Sequence, residues 1–228
     1  MTPKQRAAET AMTYVQSGMI VGLGTGSTAD FFLQALARDI KSGKLTGIQG
    51  VPTSVQSEKR ARELGIPITD PARPPRADVT IDGADEVDPN FDLIKGLGGA
   101  LLREKIVAQN SRKLVIIADA GKVVPQLGTR AMLPVEVVQF AHEIQIDFLK
   151  ELGAEPSLRK TKDGKVFITD NGNYIYDCRF AKGISNPAKI EQTLKARAGV
   201  VETGLFLKMA TFAIIADDEH AEVCEPEN

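Results

Sequence analysis

Met19-Ile20-Val21-Gly22-Leu23-Gly24-Thr25-Gly26-Ser27-Thr28-Ala29 decides the fold. Its first five residues are a short apolar run that reads as a buried strand. The glycines and hydroxyl residues that follow read as a tight turn, and a helical pattern runs from about Ser27 to Arg38. Strand, glycine-rich turn and helix in that order open an α/β fold. The turn also has a chemistry. Glycine lets the backbone bend sharply and bare its N–H groups. Thr25, Ser27 and Thr28 add hydroxyls, and the start of the next helix adds partial positive charge. Together these make a phosphate cradle; the plainer alternative is an ordinary strand-to-helix turn with Ser27 as N-cap. No lysine stands where a P-loop needs one, and position 27, where a dinucleotide fingerprint needs glycine, is serine.

Upstream of this stretch, Pro3 to Ser17 reads as an amphipathic helix closed by Gly18. Downstream come a strand at Ile48–Val51, a helix from Ser54 to Gly65, a short strand at Ile66–Ile68 and a strand at Ala77–Ile81. A helix at Leu101–Asn110 and a strand at Leu114–Ala118 follow. Polar clusters sit at the strand ends, where open α/β sheets bind ligands. After Pro134 the texture changes. Strand candidates stand at Val135–Val138, Leu158–Lys160, Val166–Thr169 and Tyr174–Asp177, with hairpin signals at Asp163-Gly164 and Asn171-Gly172. Helices are expected at Ala141–Leu152 and Ile190–Ala196. Ala210–Ala216 reads as a buried strand returning to the first sheet, and the acidic tail from Asp217 to Asn228 as loose. The expected architecture is an open, mostly parallel Rossmann-like sheet with flanking helices over residues 1–130 and 207–228. A small α+β, ferredoxin-like domain is expected over residues 131–206.

Composition narrows the function. The 228 residues are 43% apolar and 25% charged, enough for a sizeable core. A formal net charge of −2 offers no basic surplus for a nucleic-acid backbone. No apolar run approaches the roughly 20 residues that span a bilayer, and the first residues lack the apolar core of a secretory signal. Cys178 and Cys224, distant and outside any C-x-x-C pattern, are expected as thiols in a reducing compartment, so the chain is expected in the cytoplasm.

Three further clusters carry chemistry. Asp82-Gly83-Ala84-Asp85-Glu86-Val87-Asp88 packs four carboxylates into seven residues at a strand end, which is costly unless they are solvated, metal-bound or used. Their spacing does not fit an EF-hand. Lys95-Gly96-Leu97-Gly98-Gly99 allows close approach of backbone to a ligand, with Lys95 as a point charge, and Glu104 and Lys105 follow in the next helix. A solvated helix face is the plain reading of those two. Lys122, after the turn Asp119-Ala120-Gly121, is placed to reach an anion at the mouth of the sheet; Lys4 on the first helix is the next candidate. The two histidines, His142 and His220, lie in no motif and are expected at the surface or in packing.

In combination, GLGTGSTA (22–29), DGADEVD (82–88), KGLGGALLREK (95–105) and Lys122 resemble the ribose-5-phosphate isomerase A family. The resemblance continues through PVEVV (134–138), TDNGN (169–173) and GVVETGLF (199–206), nearly the whole chain in order. It implies interconversion of D-ribose 5-phosphate and D-ribulose 5-phosphate through an enediolate, in the non-oxidative pentose phosphate pathway. It implies Glu104 as proton acceptor, with Asp82, Asp85 and Lys95 as further catalytic groups. Substrate contacts are implied at Thr25, Gly26, Ser27 and Thr28, at Asp82, Gly83, Ala84 and Asp85, at Lys95, Gly96, Leu97 and Gly98, and at Lys122. Where family members often read KGGG, this chain has Leu97, whose side chain must then turn away from the sugar. No cofactor or metal is expected, and a homodimer or homotetramer is implied. Two other readings stay open: a sugar-phosphate-binding regulatory module, which needs the cradle but no base, and an aminosugar-phosphate deaminase.

Overall fold

The computed structural model describes residues 1–70 and 72–225. In chain order the first elements are α1 (Pro3–Ala11), β1 (Ile20–Leu23), α2 (Ser27–Lys41), β2 (Gln49–Pro52), α3 (Val55–Glu63), β3 (Val79–Gly83), β4 (Glu86–Val87), β5 (Leu93–Ile94), α4 (Leu101–Gln109) and β6 (Leu114–Asp119). Then come β7 (Leu133–Val137), α5 (Gln145–Glu151), β8 (Glu155–Leu158), β9 (Tyr174–Arg179), α6 (Pro187–Lys195), β10 (Val200–Thr203), β11 (Leu205–Phe206), β12 (Phe212–Ala216) and β13 (Ala221–Cys224). Among the described residues no helix is long and apolar enough to cross a membrane.

Contacts divide the chain into two compact units. One holds Met1–Ala84, Arg103–Lys122 and the chain from Lys208 onward; the other holds Asp85–Leu102 and Val123–Leu207. The boundary differs from the expected one, because residues 85–102, 123–130 and 207 join the second unit. The reason is a three-stranded antiparallel sheet ordered β11-β5-β4. Val123 and Val124 attach to it through Val87. Strands of two residues are too short to show alternation, so no pattern in the sequence marks them.

The first unit is built on a six-stranded sheet ordered β13-β12-β6-β3-β1-β2, parallel except for the edge pair β12–β13. Its inner strands are buried along most of their length, as an apolar run covered on both faces requires. Phe32, Leu33 and Leu36 of α2 pack with Ala7, Ala8 and Ala11 of α1 against Val21, Ile81, Val115 and Ile214. α1 starts sharply because Thr2 and Gln5 form a reciprocal capping box and Pro3 stands in the first turn. It stops earlier than expected: a 3₁₀ turn, Met12–Tyr14, leads into Val15, which is already extended. In register Leu23 faces Ile81 and Gly83 faces Ile117. The turns after β1, β3 and β6 therefore leave one edge of the sheet, the carboxyl edge where ligands bind.

Two expectations fail here. Ile66–Ile68 makes only an isolated bridge, Gly50 to Ile68. The tail is not loose throughout: β13 pairs along β12, and Asp217 Oδ1 folds the intervening turn by accepting from the Glu219 and His220 amides. Residues 226–228 lie outside the described residues.

The second unit carries a four-stranded antiparallel sheet ordered β10-β7-β9-β8. With α5 and α6 it has the βαββαβ connectivity of ferredoxin-like folds. The fourth strand is β10 rather than Val166–Thr169. Thr169 Oγ1 instead accepts from the Asn171 and Asn173 amides and donates to the buried Glu136, which makes a turn of the segment.

Candidate active site

The turn after β1 is shaped by what lies beside it. A Cβ on Gly24 would fall 2.4 Å from Asp82 Oδ1 and 2.6 Å from its Cα, so only glycine lets β3 come this close. Asp82 is 1% exposed, and its Oδ1 accepts from the Thr25 amide at 3.0 Å and the Gly83 amide at 2.8 Å. The Thr25 hydroxyl turns inward, 2.8 Å from both Thr53 Oγ1 and Ser54 Oγ. It ties the turn to the start of α3.

The expected N-cap also moves. Gly26, at φ 105°, is the N-cap of α2, Ser27 is its first helical residue, and no side chain caps the helix. An uncapped helix start behind a glycine turn presents N–H groups to an anion. Lys4 Nζ donates to Ser27 Oγ at 2.9 Å, bringing an ammonium from α1 to the same turn. Lys122, half-buried, lies in the 3₁₀ turn Ala120–Lys122 after β6, at the same sheet edge. A cleft of 510 Å³ opens beside the turn, lined by Thr25, Gly26 and Ser27 and by Gln56 and Arg60 of α3. Arg60 pairs there with Asp30 at 2.6 Å, and that hydrogen bond raises the guanidinium pKa. Asp30 and Glu63 also line the cleft; Asp82 and Glu104 do not.

On α4 the usual pattern is inverted. Glu104 is 4% exposed and Lys105 2%, while Ile106 between turns is 52% exposed. The solvated-face reading of Glu104 and Lys105 is overturned. Charged groups are rarely buried without partner or purpose, and Glu104 stands in the first turn, where helix N-terminal charge favours a carboxylate.

In the second unit the acidic block sorts into roles. Glu86 is fully buried and accepts from the Gly128, Arg130 and Ala131 amides at 2.5–2.7 Å. Asp88 accepts from the Asn90 and Asp92 amides. Both are consumed in holding loops. Asp85 Oδ2 accepts from the Leu97 amide at 3.0 Å, so that N–H is already engaged. The Leu97 side chain is exposed. Lys95 is buried, with Nζ 5.3 Å from the centre of the Phe206 ring. Arg159 Nη1 donates to the Gly96 and Leu97 carbonyls, a contact that no motif announced. His142 is a packing residue, bonded to the Tyr176 hydroxyl at 2.9 Å and edge-on to Tyr174, and His220 is exposed. Cys178 is a buried thiol, its pKa pushed up by burial, and Cys224 is a half-buried one.

The profile of the ribose 5-phosphate isomerase A (phosphoriboisomerase A) family matches residues 49–220. A ribose-5-phosphate isomerase A from Roseiflexus castenholzii is 52% identical over 213 residues, 93% of this chain and 91% of the relative. A probable chloroplastic ribose-5-phosphate isomerase 3 of Arabidopsis thaliana is 47% identical over 96% of this chain and 82% of its own length. Among solved structures, a D-ribose-5-phosphate isomerase in complex with phospho-erythronic acid superposes with a TM-score of 0.94 at 38% identity, covering 97% of each chain. The Plasmodium falciparum ribose 5-phosphate isomerase gives a TM-score of 0.94 at 39% identity, covering 99% of this chain and 98% of that one.

Proposed function

Because the chain belongs to the ribose 5-phosphate isomerase A family, we propose that it carries out that isomerisation with Glu104 as its proton shuttle. The enzyme interconverts D-ribose 5-phosphate and D-ribulose 5-phosphate. The observation that carries the residue assignment is the inversion on α4, a carboxylate held in the interior while Ile106 faces solvent.

The chemistry proceeds on the open-chain aldose. Asp82 assists ring opening by proton transfer. The Glu104 carboxylate takes the proton from C2, the electron pair forms a C1–C2 double bond, and the aldehyde oxygen becomes the enediolate oxygen. Lys95 and the N–H groups of Gly96 and Gly98 stabilise that oxygen as charge develops. The O2 hydroxyl proton passes to O1, Glu104 returns its proton to C1, and the carbonyl now stands at C2. Asp85, with Gly83 and Ala84, binds sugar hydroxyls. The phosphate takes the N–H groups of Gly26, Ser27 and Thr28 with the Ser27 and Thr28 hydroxyls, and Lys122 and Lys4 supply positive charge.

The working form is a cytoplasmic homodimer or homotetramer. Phe140 and Ile144 of the second unit, 89% and 61% exposed, support association. Light scattering on the purified protein measures the state. A coupled assay for ribulose 5-phosphate formation tests the activity itself; purified protein that leaves ribose 5-phosphate unchanged while binding it would favour the regulatory module.

A further inference from the structure

We propose that Arg159 is a positioning residue for the isomerisation. The proposal deepens the reading of Asp85 and the 95–98 turn as substrate-binding groups and rests on it. Arg159 follows β8, and its side chain is 11% exposed. One edge of the guanidinium grips Asp177 of β9 at two points, Nε to Oδ2 at 2.8 Å and Nη2 to Oδ1. The remaining nitrogen, Nη1, donates to the Gly96 carbonyl at 3.1 Å and the Leu97 carbonyl at 3.0 Å. The Phe167 ring, 5.8 Å from the guanidinium carbon, fills the space that a Cβ on Gly99 would need.

A planar trans peptide aims its N–H opposite to its C=O. With both carbonyls drawn to Arg159, the Leu97 and Gly98 N–H groups are turned away from it. The Leu97 N–H meets Asp85 Oδ2 at 3.0 Å. One cation therefore sets the tilt of two successive peptide planes, and through them the place of Asp85 and the direction of the Gly98 N–H. Within the turn the Gly99 amide also reaches the Gly96 carbonyl at 2.9 Å, which closes the turn but leaves the Leu97 carbonyl to Arg159. Asp177 holds the fork of the guanidinium in one orientation. Lysine, a single point charge, matches the charge but not the three-way geometry. A buried ion pair adds little to stability compared with apolar packing, so geometric control is the better reason for this one.

The test is a kinetic cycle on ribose 5-phosphate with Arg159→Lys, Asp85→Asn and the double variant, plus thermal unfolding and inhibition by inorganic phosphate. Misplacing a catalytic group by about an ångström costs about 10²-fold. Arg159→Lys is expected to lose about that factor in kcat, with KM and the phosphate inhibition constant within about threefold of wild type. The double variant is expected to be no slower than Asp85→Asn, because both changes act through one turn. Asp177→Asn, which loosens the fork, is expected to share the kcat loss in smaller measure and serves if Arg159→Lys does not fold. A folded Arg159→Lys with lowered Tm but unchanged kcat overturns the proposal, as do kcat losses that multiply in the double variant. Wild-type kinetics in Asp85→Asn alone would instead sink the reading beneath it.

Discussion

Asp82 Oδ1 accepts a hydrogen bond from the Thr25 amide at 3.0 Å, so the glycine turn and the acidic strand end are one construction across 57 residues of sequence. Gly24 makes it possible, since a side chain there would enter Asp82. The neighbours to be displaced are the Asp82 carboxylate and, less able to move, the Asp82 Cα and the Ile81 carbonyl. Gly24→Ala is expected to destabilise the fold by about 1–3 kcal/mol, the usual cost of overpacking, and to lower kcat/KM by displacing Asp82 and the cradle together. Thermal unfolding and steady-state kinetics check both effects; a fully active variant would separate Asp82 from the chemistry.

Phosphate contacts should act on binding alone. The phosphate keeps its charge while a proton moves carbons away, so its contacts hold bound substrate and transition state nearly equally. Lys122→Ala and Lys4→Ala are each expected mainly to raise KM. A charge-assisted hydrogen bond of roughly 1.5–3 kcal/mol corresponds to about ten- to a hundredfold. The Lys122 effect should shrink at high salt, because the side chain is half-exposed and screening already weakens its contact. A large kcat loss with KM unchanged would move that lysine to the reacting carbons.

Activity is expected to survive exhaustive chelation. Of the four carboxylates in residues 82–88, Glu86 takes three backbone amides on its two oxygens and Asp88 two on Oδ1, and among the described residues no group of three His, Cys, Asp or Glu side chains could hold a metal ion. Assay after EDTA treatment, with magnesium, manganese or zinc added back, decides the matter. Loss of activity restored by one of these ions would make the acidic block a metal site and replace the proton-shuttle mechanism.

Much of the fold is legible in the sequence. Apolar runs such as Leu114–Ala118 and the Gly22–Thr28 turn mark β6 and the β1–α2 unit directly, because a buried parallel strand tolerates little else. The motifs place Glu104 and Asp82 in the chain. What they do not carry is the direction of each group. That the Thr25 hydroxyl faces Thr53 and Ser54, that Leu97 gives its N–H to Asp85, and that Glu86 is spent on a loop all depend on partners distant in sequence. The acidic residues of the tail suggest solvent, whereas Asp217 folds a turn that returns β13 to the sheet. Arg159 was invisible, since its partners Asp177 and Gly96 lie in different elements.

Stability should fall in acid partly through Asp39. Burial alone would raise its pKa, but hydrogen bonds from Lys44 at 2.7 Å and Arg38 at 2.9 Å outweigh this and hold it below the ordinary value. A carboxylate with a lowered folded-state pKa stabilises the fold above its unfolded value and loses that contribution as pH falls through the folded one. Asp39→Asn is expected to cost about 1–2 kcal/mol at neutral pH, discounted because both cations are largely exposed. The gap to wild type should narrow below about pH 4. Denaturant unfolding at several pH values measures it, and a gap that is constant with pH would show that the carboxylate charge plays no part.

The central claim is that Glu104 moves the proton, and Glu104→Gln tests it most directly. The amide keeps the size and position of the side chain but cannot accept the C2 proton. With ribose 5-phosphate as substrate, kcat is expected to fall by about 10² to 10⁴, with KM and the thermal unfolding curve close to wild type. A Glu104→Gln protein that turns over at a near-normal rate would contradict the account and require another base.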